Sequence, residues 1–188
     1  EGTDKQTRGG FAIGGLSDQI KEPPVTFTHI TPDNYFIGHE SGFEPLLSGL
    51  YNSTLGYKSG RALLTGTSNI FIGYESGLSN SSGSYNAFMG YQTGLNSNSS
   101  YNTFIGYQTG LDNTTGQYNT FLGYQAGKGH TANKLTGSNN VFLGYQAGLV
   151  NSSGASNVFV GNQTGFTNTT GGSNVLIGNQ AGYLNSIG

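Results

Sequence analysis

The sequence predicts an all-β fold, a solenoid of coils about 17 residues long, on two observations. One is a nine-fold repeat of asparagine and glycine, and the other is a short apolar, strand-like segment after each repeated asparagine. Periods of roughly 20 to 50 residues are typical of helical and leucine-rich solenoids. A period of 17 is too short for a helix-turn-helix unit and fits one coil made of two short strands and two turns.

The repeat follows one rule in every copy. A glycine stands four residues after the asparagine, and a second glycine stands four residues later. The successive first glycines are 18, 17, 17, 16, 17, 21, 17 and 17 residues apart, so the period is 17. The asparagines are Asn34, Asn52, Asn69, Asn86, Asn102, Asn119, Asn140, Asn157 and Asn174.

The chain divides into an atypical N-terminal segment, residues 1–33, and a nine-repeat stack, residues 34–188. In the stack, the residues after each asparagine are aromatic or β-branched, which favours a strand. Stretches such as SNSSGS and DNTTGQ between them have the composition of turns. All four prolines lie in the first 45 residues, so none interrupts the later ladder. In the first segment, GFAIGG at residues 10–15 resembles a degenerate coil, as terminal caps often do.

The strands carry apolar residues on both faces. Alternation places Asn102, Phe104 and Gly106 on one face and Thr103 and Ile105 on the other. A coil of 17 residues encloses one layer of side chains, so the second apolar face needs another cover. A homo-oligomer about a common axis would supply it with closed symmetry. The pattern does not decide which face is the seam between chains.

Composition excludes several classes of protein. Only 9% of residues are charged and the net charge is -2, which argues against a nucleic-acid partner and against a charge-solvated disordered tail. The absence of cysteine removes disulfides and thiol chemistry. No apolar run approaches the roughly 18 residues of a membrane helix, so no membrane insertion by this segment is expected. A surface of uncharged amides and hydroxyls suits a cell-surface or extracellular location.

The copies NTFIGYQTG, from Asn102, and NTFLGYQAG, from Asn119, resemble a known family. They are similar to the head repeats of trimeric autotransporter adhesins, the YadA-like heads, and to the GYQAG-type repeats of related trimeric fibre proteins. The resemblance covers about residues 34–182. It implies a left-handed parallel β-roll assembled as a homotrimer that serves as an adhesin or a fibre head. The 17-residue period and the phenylalanine at the centre of the strand depart from the YadA-like pattern.

The nine repeat asparagines are interpreted as a structural ladder, because identical amides stacked in a solenoid can hydrogen-bond from coil to coil. A row of tyrosines, broken by Asn162 and Asn179, is interpreted as packing at a half-buried seam, with sugar stacking as the alternative. The row comprises Tyr57, Tyr74, Tyr91, Tyr107, Tyr124 and Tyr145.

No motif predicts catalysis, so we expect a protein that is not an enzyme and uses no cofactor. The three histidines do not form a ligand or triad pattern, and G-x-S-x-G does not occur. His39, Glu40, Glu44 and Asp33 lie near the first coil, but their spacing matches no recognised metal site, so solvated charge is the preferred interpretation. No metal is expected.

Two departures from the repeat are candidate binding regions. Residues 1–50 hold 10 of the 16 charges and form a candidate tip. A four-residue insertion between Gly123 and Gly144 forms a candidate loop, since insertions in solenoids map to loops on one face. The tip candidates are Arg8, Lys21, Glu22, His39, Glu40 and Glu44, and the loop candidates are Lys128, His130 and Lys134.

Together these features predict a surface adhesin or fibre head that attaches by multivalent display. Its partners would be two further copies of itself and a glycan or protein on a host, prey or environmental surface. Two alternatives remain: a structural filament or sheath subunit, because open-ended coils can stack, and an ice- or glycan-binding solenoid. The irregular residues after each asparagine argue against a flat ice-binding array.

Overall fold

The computed structural model describes residues 28–42, 48–130 and 134–187. This part of the chain is all-β, with ten short strands in one sheet and no helix. The strands are β1 Thr28–Ile30, β2 Tyr35–Ile37, β3 Ser53–Leu55, β4 Ile70–Ile72, β5 Ala87–Met89, β6 Thr103–Tyr107, β7 Thr120–Tyr124, β8 Val141–Leu143, β9 Val158–Val160 and β10 Val175–Ile177.

The strands follow chain order in the sheet, and β2 to β10 are parallel. Each strand pairs with the next at the same position of the repeat, so that Phe104 lies opposite Phe121 and Phe121 opposite Phe142. The chain therefore advances by one coil per repeat. The predicted β-solenoid of about 17-residue coils is confirmed.

Each coil contains one strand, whereas the sequence predicted two. Most of the parallel strands end just before the first repeat glycine, while β6 and β7 continue one residue beyond it. This glycine takes a positive φ, which is 134° at Gly106. A Cβ there would overlap the carbonyl of Gly123 in the next coil, so this position requires glycine. Polar turn residues on the opposite wall bond from coil to coil without strand geometry, as in Ser79 N to Leu95 O at 3.0 Å. One isolated bridge, Asn113 to Leu135, lies there.

A stack of phenylalanines fills the interior beneath the strands. Phe104 lies 4.8 Å from both Phe88 and Phe121 between ring centroids, with the ring planes within 5° of parallel. The rings are fully buried, because alternation turns the middle residue of each strand inward. Thr54 and Leu176 take this position in the second and last coils. The stacked phenylalanines are Phe71, Phe88, Phe104, Phe121, Phe142 and Phe159.

The repeat asparagines form a hydrogen-bonded ladder along one corner of the interior. The Oδ1 atom of Asn69 accepts a bond of 3.0 Å from the main-chain N–H of Asn86, one coil further on. Its Nδ2 atom donates to the Gly83 carbonyl at 2.8 Å. Main-chain links of the first kind join all nine asparagines. The amides thus satisfy buried backbone groups at each turn as well as bonding to one another.

The first parallel strand is covered by an antiparallel one. β1 pairs with β2 in the register Thr28 to Ile37, and the ring of His29 packs edge-on against Phe36 at 5.9 Å. The Oγ1 atom of Thr31 accepts the main-chain N–H of Asn34 at 2.9 Å. It takes the place that an asparagine of a preceding coil would occupy. The degenerate coil predicted at residues 10–15 lies outside the described residues.

Candidate functional site

The outward-facing side chains of the strands form a broad apolar surface. We call the last outward residue of each strand triplet the aliphatic row; it contains only Ile, Leu, Met and Val. Ile105 is 37% exposed and Leu122 is 47% exposed, while the adjacent Phe104 is fully buried. The structure therefore decides which face is interior: phenylalanine points inward, and the aliphatic row points outward. Its members are Ile37, Leu55, Ile72, Met89, Ile105, Leu122, Leu143, Val160 and Ile177.

Two tyrosine ladders lie on the outside of the stack. In the first, the six tyrosines predicted as a row stack at 5.0 to 5.2 Å between centroids, with planes within 18° of parallel. His39 extends it by stacking on Tyr57 at 5.4 Å. The second ladder, Tyr85, Tyr101 and Tyr118, was not predicted, although these residues share the position before the asparagine.

Stacking uses the faces of the tyrosine rings. Each ring within a ladder has a neighbour on either side, so it presents its edge and hydroxyl outward rather than its face. A sugar ring stacks on an exposed aromatic face, and a continuous ladder offers none along its length. The geometry therefore favours the packing interpretation of the tyrosine row over the sugar-stacking alternative.

We define the outer face as the aliphatic row, the first outward residue of each strand, and the first tyrosine ladder with the residues that continue it. Among the described residues, this face contains no Asp, Glu, Lys or Arg. Its first outward positions include Ile70, Val141 and Val158, which are apolar, and Thr103 and Thr120, whose hydroxyls are neutral. Covering this face would therefore bury no unpaired charge.

A glutamine ladder borders the tyrosines, and the sequence reasoning missed it. The Nε2 atom of each glutamine donates to the Oε1 atom of the glutamine one coil before, at 2.9 to 3.1 Å. At the N-terminal end, Gln92 donates to Glu75 at 2.9 Å. The repeated Gln after the tyrosine was the signal that could have found it. The ladder contains Gln92, Gln108, Gln125, Gln146, Gln163 and Gln180.

A charge cluster lies at the N-terminal coils. The Glu40 carboxylate is 2.9 Å from Arg61 Nε and 4.0 Å from Lys58 Nζ, and its other oxygen is 3.8 Å from His39 Nδ1. A hydrogen bond with Tyr57, together with the charge of Glu40, holds the pKa of Lys58 above its ordinary value against partial desolvation.

Two of the six tip candidates, His39 and Glu40, thus lie together at the first coil, and both have partners within the stack. Lys58 and Arg61, which complete the cluster, were not among the candidates. Arg8, Lys21, Glu22 and Glu44 lie outside the described residues.

The insertion leaves the coil at Lys128 and rejoins it at Leu135, which is fully buried. Asp112 lies in the coil beneath it: its N–H donates to the Lys128 carbonyl at 2.8 Å, and its carbonyl accepts from Leu135 N at 3.0 Å. The Asp112 carboxylate is almost completely buried and accepts a bond of 2.8 Å from Asn96 Nδ2. His130 and Lys134 are exposed, and residues 131–133 between them lie outside the described part.

The described residues contain no group of three or more His, Cys, Asp or Glu arranged to hold a metal ion. The same residues include no helix with the length and apolar character needed to cross a membrane. No protein-family model matches the chain. No curated protein and no solved structure matches it significantly either. The likeness to trimeric fibre heads therefore rests on the repeat sequence, with which the parallel solenoid is compatible.

Proposed function

We propose that this chain is the head segment of a non-enzymatic surface adhesin or fibre, built as a left-handed β-roll and assembled as a homotrimer. The observation that carries the proposal is the outer face: an aliphatic row that is exposed or half-buried in every coil, on a face with no Asp, Glu, Lys or Arg among the described residues. A surface of this kind marks an interface, because soluble monomers rarely expose long continuous apolar patches.

The shape of the outer face supports this proposed assembly. The aliphatic row runs parallel to the solenoid axis, so copies arranged around a common axis bring each row against the same row of its neighbours. Each level meets the same level of another copy, and aliphatic side chains meet aliphatic side chains. Burial of Leu and Ile side chains that are about 40% exposed contributes at every level, at roughly 25 cal/mol per Å² of apolar area. Closed cyclic symmetry ends the assembly at a defined size.

The proposed mechanism is rigid display. The stacked phenylalanines and the asparagine ladder join each coil to the next, so residues at one end are held at fixed positions in all three chains. Three copies of a weak contact then bind with an avidity well above that of one copy. The ligand is a glycan or protein on a host, prey or environmental surface, and the protein acts at the cell surface or outside the cell.

The binding residues are proposed to lie where the repeat is interrupted. The N-terminal tip, with the candidates Arg8, Lys21, Glu22, His39, Glu40 and Glu44, comes first. The loop with Lys128, His130 and Lys134 is the second. Uniform coils present the same uncharged surface at every level, and such a surface does not fix the register of a specific partner.

Attachment to a panel of surfaces, including glycan arrays and matrix proteins, tests this function. Removing residues 1–27 leaves β1 in place over β2, so the stack keeps its cover. We expect the shortened protein to keep its mass in solution and lose attachment. The matched variant replaces Lys128, His130 and Lys134 with alanine and should still attach. Equal attachment by the shortened protein would exclude Arg8, Lys21 and Glu22 and leave the remaining tip residues, the loop or the coil walls as the binding site. No attachment by the intact protein to any surface would contradict the adhesin function.

A further inference from the structure

The second tyrosine ladder is interrupted at one coil. Its rings occupy the position before the repeat asparagine, where Tyr85 stacks on Tyr101 at 5.1 Å and Tyr101 on Tyr118 at 4.9 Å between centroids. Two coils before Tyr85 the same position holds Tyr51, and the coil between them has Ser68 there. We call the space over Ser68, between Tyr51 and Tyr85, the ladder gap. It lies outside the outer face defined above.

The backbone passes through the ladder gap without a break. φ is 61° at Tyr51, 57° at Ser68 and 60° at Tyr85, so the three Cα–Cβ bonds leave their coils in the same way. The N–H of Ser68 donates to Leu50 O at 2.9 Å, and the N–H of Tyr85 donates to Thr67 O at 2.9 Å. The side chains of Tyr51 and Tyr85 are therefore attached two coils apart, about 10 Å at the usual spacing of adjacent strands.

The exposed fractions of the rings indicate which ring faces are open. Tyr101, with a ring on either side, is 46% exposed. Tyr85 and Tyr118, each with one ring neighbour, are both 56% exposed. Tyr51, which stacks on no other described ring, is 65% exposed. Since Tyr101 covers the C-terminal side of Tyr85, the open face of Tyr85 is the one toward Ser68.

The width of the ladder gap matches one ring. A ring midway between the two tyrosines would lie about 5 Å from each of them. Neighbouring rings within the ladder are 4.9 to 5.1 Å apart, a distance typical of stacked rings. Ser68 extends only one heavy atom beyond its Cβ, so it forms the floor of the ladder gap and leaves the level of the rings open.

The groups around the ladder gap are neutral. Ser68 and the two tyrosines supply hydroxyls, and the residues that precede these three positions are Leu50, Thr67 and Ser84. The Oγ atom of Ser84 accepts the N–H of Thr67 at 3.0 Å. Aromatic faces edged by neutral hydroxyls suit a sugar ring, whose C–H groups form its faces and whose hydroxyls form its rim.

We propose that the ladder gap binds one pyranose ring of a neutral glycan, sandwiched between Tyr51 and Tyr85 with the Ser68 hydroxyl at its floor. A sandwich requires two flat C–H faces. β-Linked glucose and N-acetylglucosamine have both, because their ring substituents are equatorial, whereas galactose carries an axial hydroxyl on one face. The site therefore selects sugars of the glucose type. It is formed by a single chain and rests neither on the adhesin function nor on trimer assembly.

Isothermal titration calorimetry of the full chain with cellotetraose, chitotetraose and β-linked galactotetraose tests this site. We expect saturable binding of cellotetraose or chitotetraose, with a dissociation constant of roughly 0.1 to 3 mM. Binding of galactotetraose should be at least about fivefold weaker, because its axial hydroxyl meets one of the two tyrosine faces.

Four variants locate the bound sugar. Ser68→Tyr places a ring of the ladder type in the ladder gap and should weaken binding at least about tenfold, whereas Ser68→Ala keeps the ladder gap and should retain binding within about threefold. Tyr85→Ala removes one wall and should also weaken binding at least about tenfold. Tyr118→Ala is the matched control, since Tyr118 is equally exposed but lies two coils beyond Tyr85. The circular dichroism spectrum of each variant establishes that the stack is intact.

Absence of saturable binding of both cellotetraose and chitotetraose up to about 10 mM would overturn the proposal. Equal binding by Ser68→Tyr and wild type, or an equal loss in Tyr118→Ala and Tyr85→Ala, would place the sugar outside the ladder gap. Equal binding of galactotetraose would contradict the sandwich. Binding of the tripeptide glycyl-tyrosyl-glycine without binding of the sugars would assign the ladder gap to an aromatic side chain of a protein partner instead of a glycan.

Discussion

Replacing Asn69 with alanine tests the asparagine ladder most sharply. Asn69 is fully buried, its Oδ1 atom accepts the main-chain N–H of Asn86 at 3.0 Å, and its Nδ2 atom donates to the Gly83 carbonyl at 2.8 Å. Alanine leaves that N–H and that carbonyl unpaired in the interior. An unpaired buried group costs about 1 to 3 kcal/mol. We expect Asn69→Ala to lower the free energy of unfolding by about 2 to 5 kcal/mol.

Asn140→Ala gives a graded comparison. Its Oδ1 atom also accepts a main-chain N–H, that of Asn157 at 3.0 Å, and its Nδ2 atom donates to the Gly154 carbonyl at 2.9 Å. That carbonyl keeps a second donor, Nδ2 of Asn151, also at 2.9 Å. Only one group is left unpaired, so the loss should be smaller than for Asn69→Ala by about 1 kcal/mol.

Urea denaturation followed by far-ultraviolet circular dichroism, at one fixed protein concentration, measures these differences. Asn162→Ala is the matched control, because Asn162 is exposed and the change should stay within about 0.5 kcal/mol of wild type. If Asn69→Ala unfolds at the same urea concentration as Asn162→Ala, the ladder does not stabilise the stack and the argument from buried amides is wrong.

Further predictions concern the two strand faces and the first repeat glycine. Ile105→Asp should keep the circular dichroism spectrum of the folded stack and lower the mass of the protein in solution. Phe104→Asp should prevent folding, because it buries a charge in the phenylalanine stack. Identical behaviour of the two variants would contradict the assignment of Phe104 to the interior and Ile105 to the outer face. Gly123→Ala should destabilise the protein by at least about 2 kcal/mol in the same urea assay, because φ is 135° there and the added Cβ overlaps the Gly144 carbonyl. If Gly123→Ala unfolds at the same urea concentration as the wild type, the close approach between Gly123 and the Gly144 carbonyl is contradicted.

The period, the strand positions and the stacking of the asparagines could be predicted from the sequence, because each coil repeats the same local pattern. The interior face of the strand could not be predicted, since Phe104 and Ile105 are both apolar and alternation alone does not say which of them points into the coil. The structure selects phenylalanine, whose rings stack flat at the spacing of adjacent strands.

Two other features, the left-handed turn residues and strand β1, could not be predicted from the sequence. Gln108 and Tyr101 take φ values of 49° and 63°, a left-handed conformation that side chains other than glycine, asparagine and aspartate rarely adopt. A propensity argument therefore does not place the turns there. The antiparallel β1 was also missed, because Thr28–Ile30 carries no copy of the repeat and pairs through its backbone with β2.

The candidate site could be predicted only in part. The tyrosine row was recognised from its spacing, but the edge-outward geometry of its rings depends on their stacking. The partners of Glu40, which are Lys58 and Arg61, lie in the next coil, so their proximity follows from the register of the stack rather than from adjacent residues.

The mass of the purified protein in solution, measured by light scattering across a range of concentrations, tests the central claim most directly. One chain has a mass of 19.7 kDa. If copies cover the outer face of one another around a three-fold axis, the mass is three times that value and stays constant on dilution. A stable monomer with the aliphatic row open to water would contradict the account.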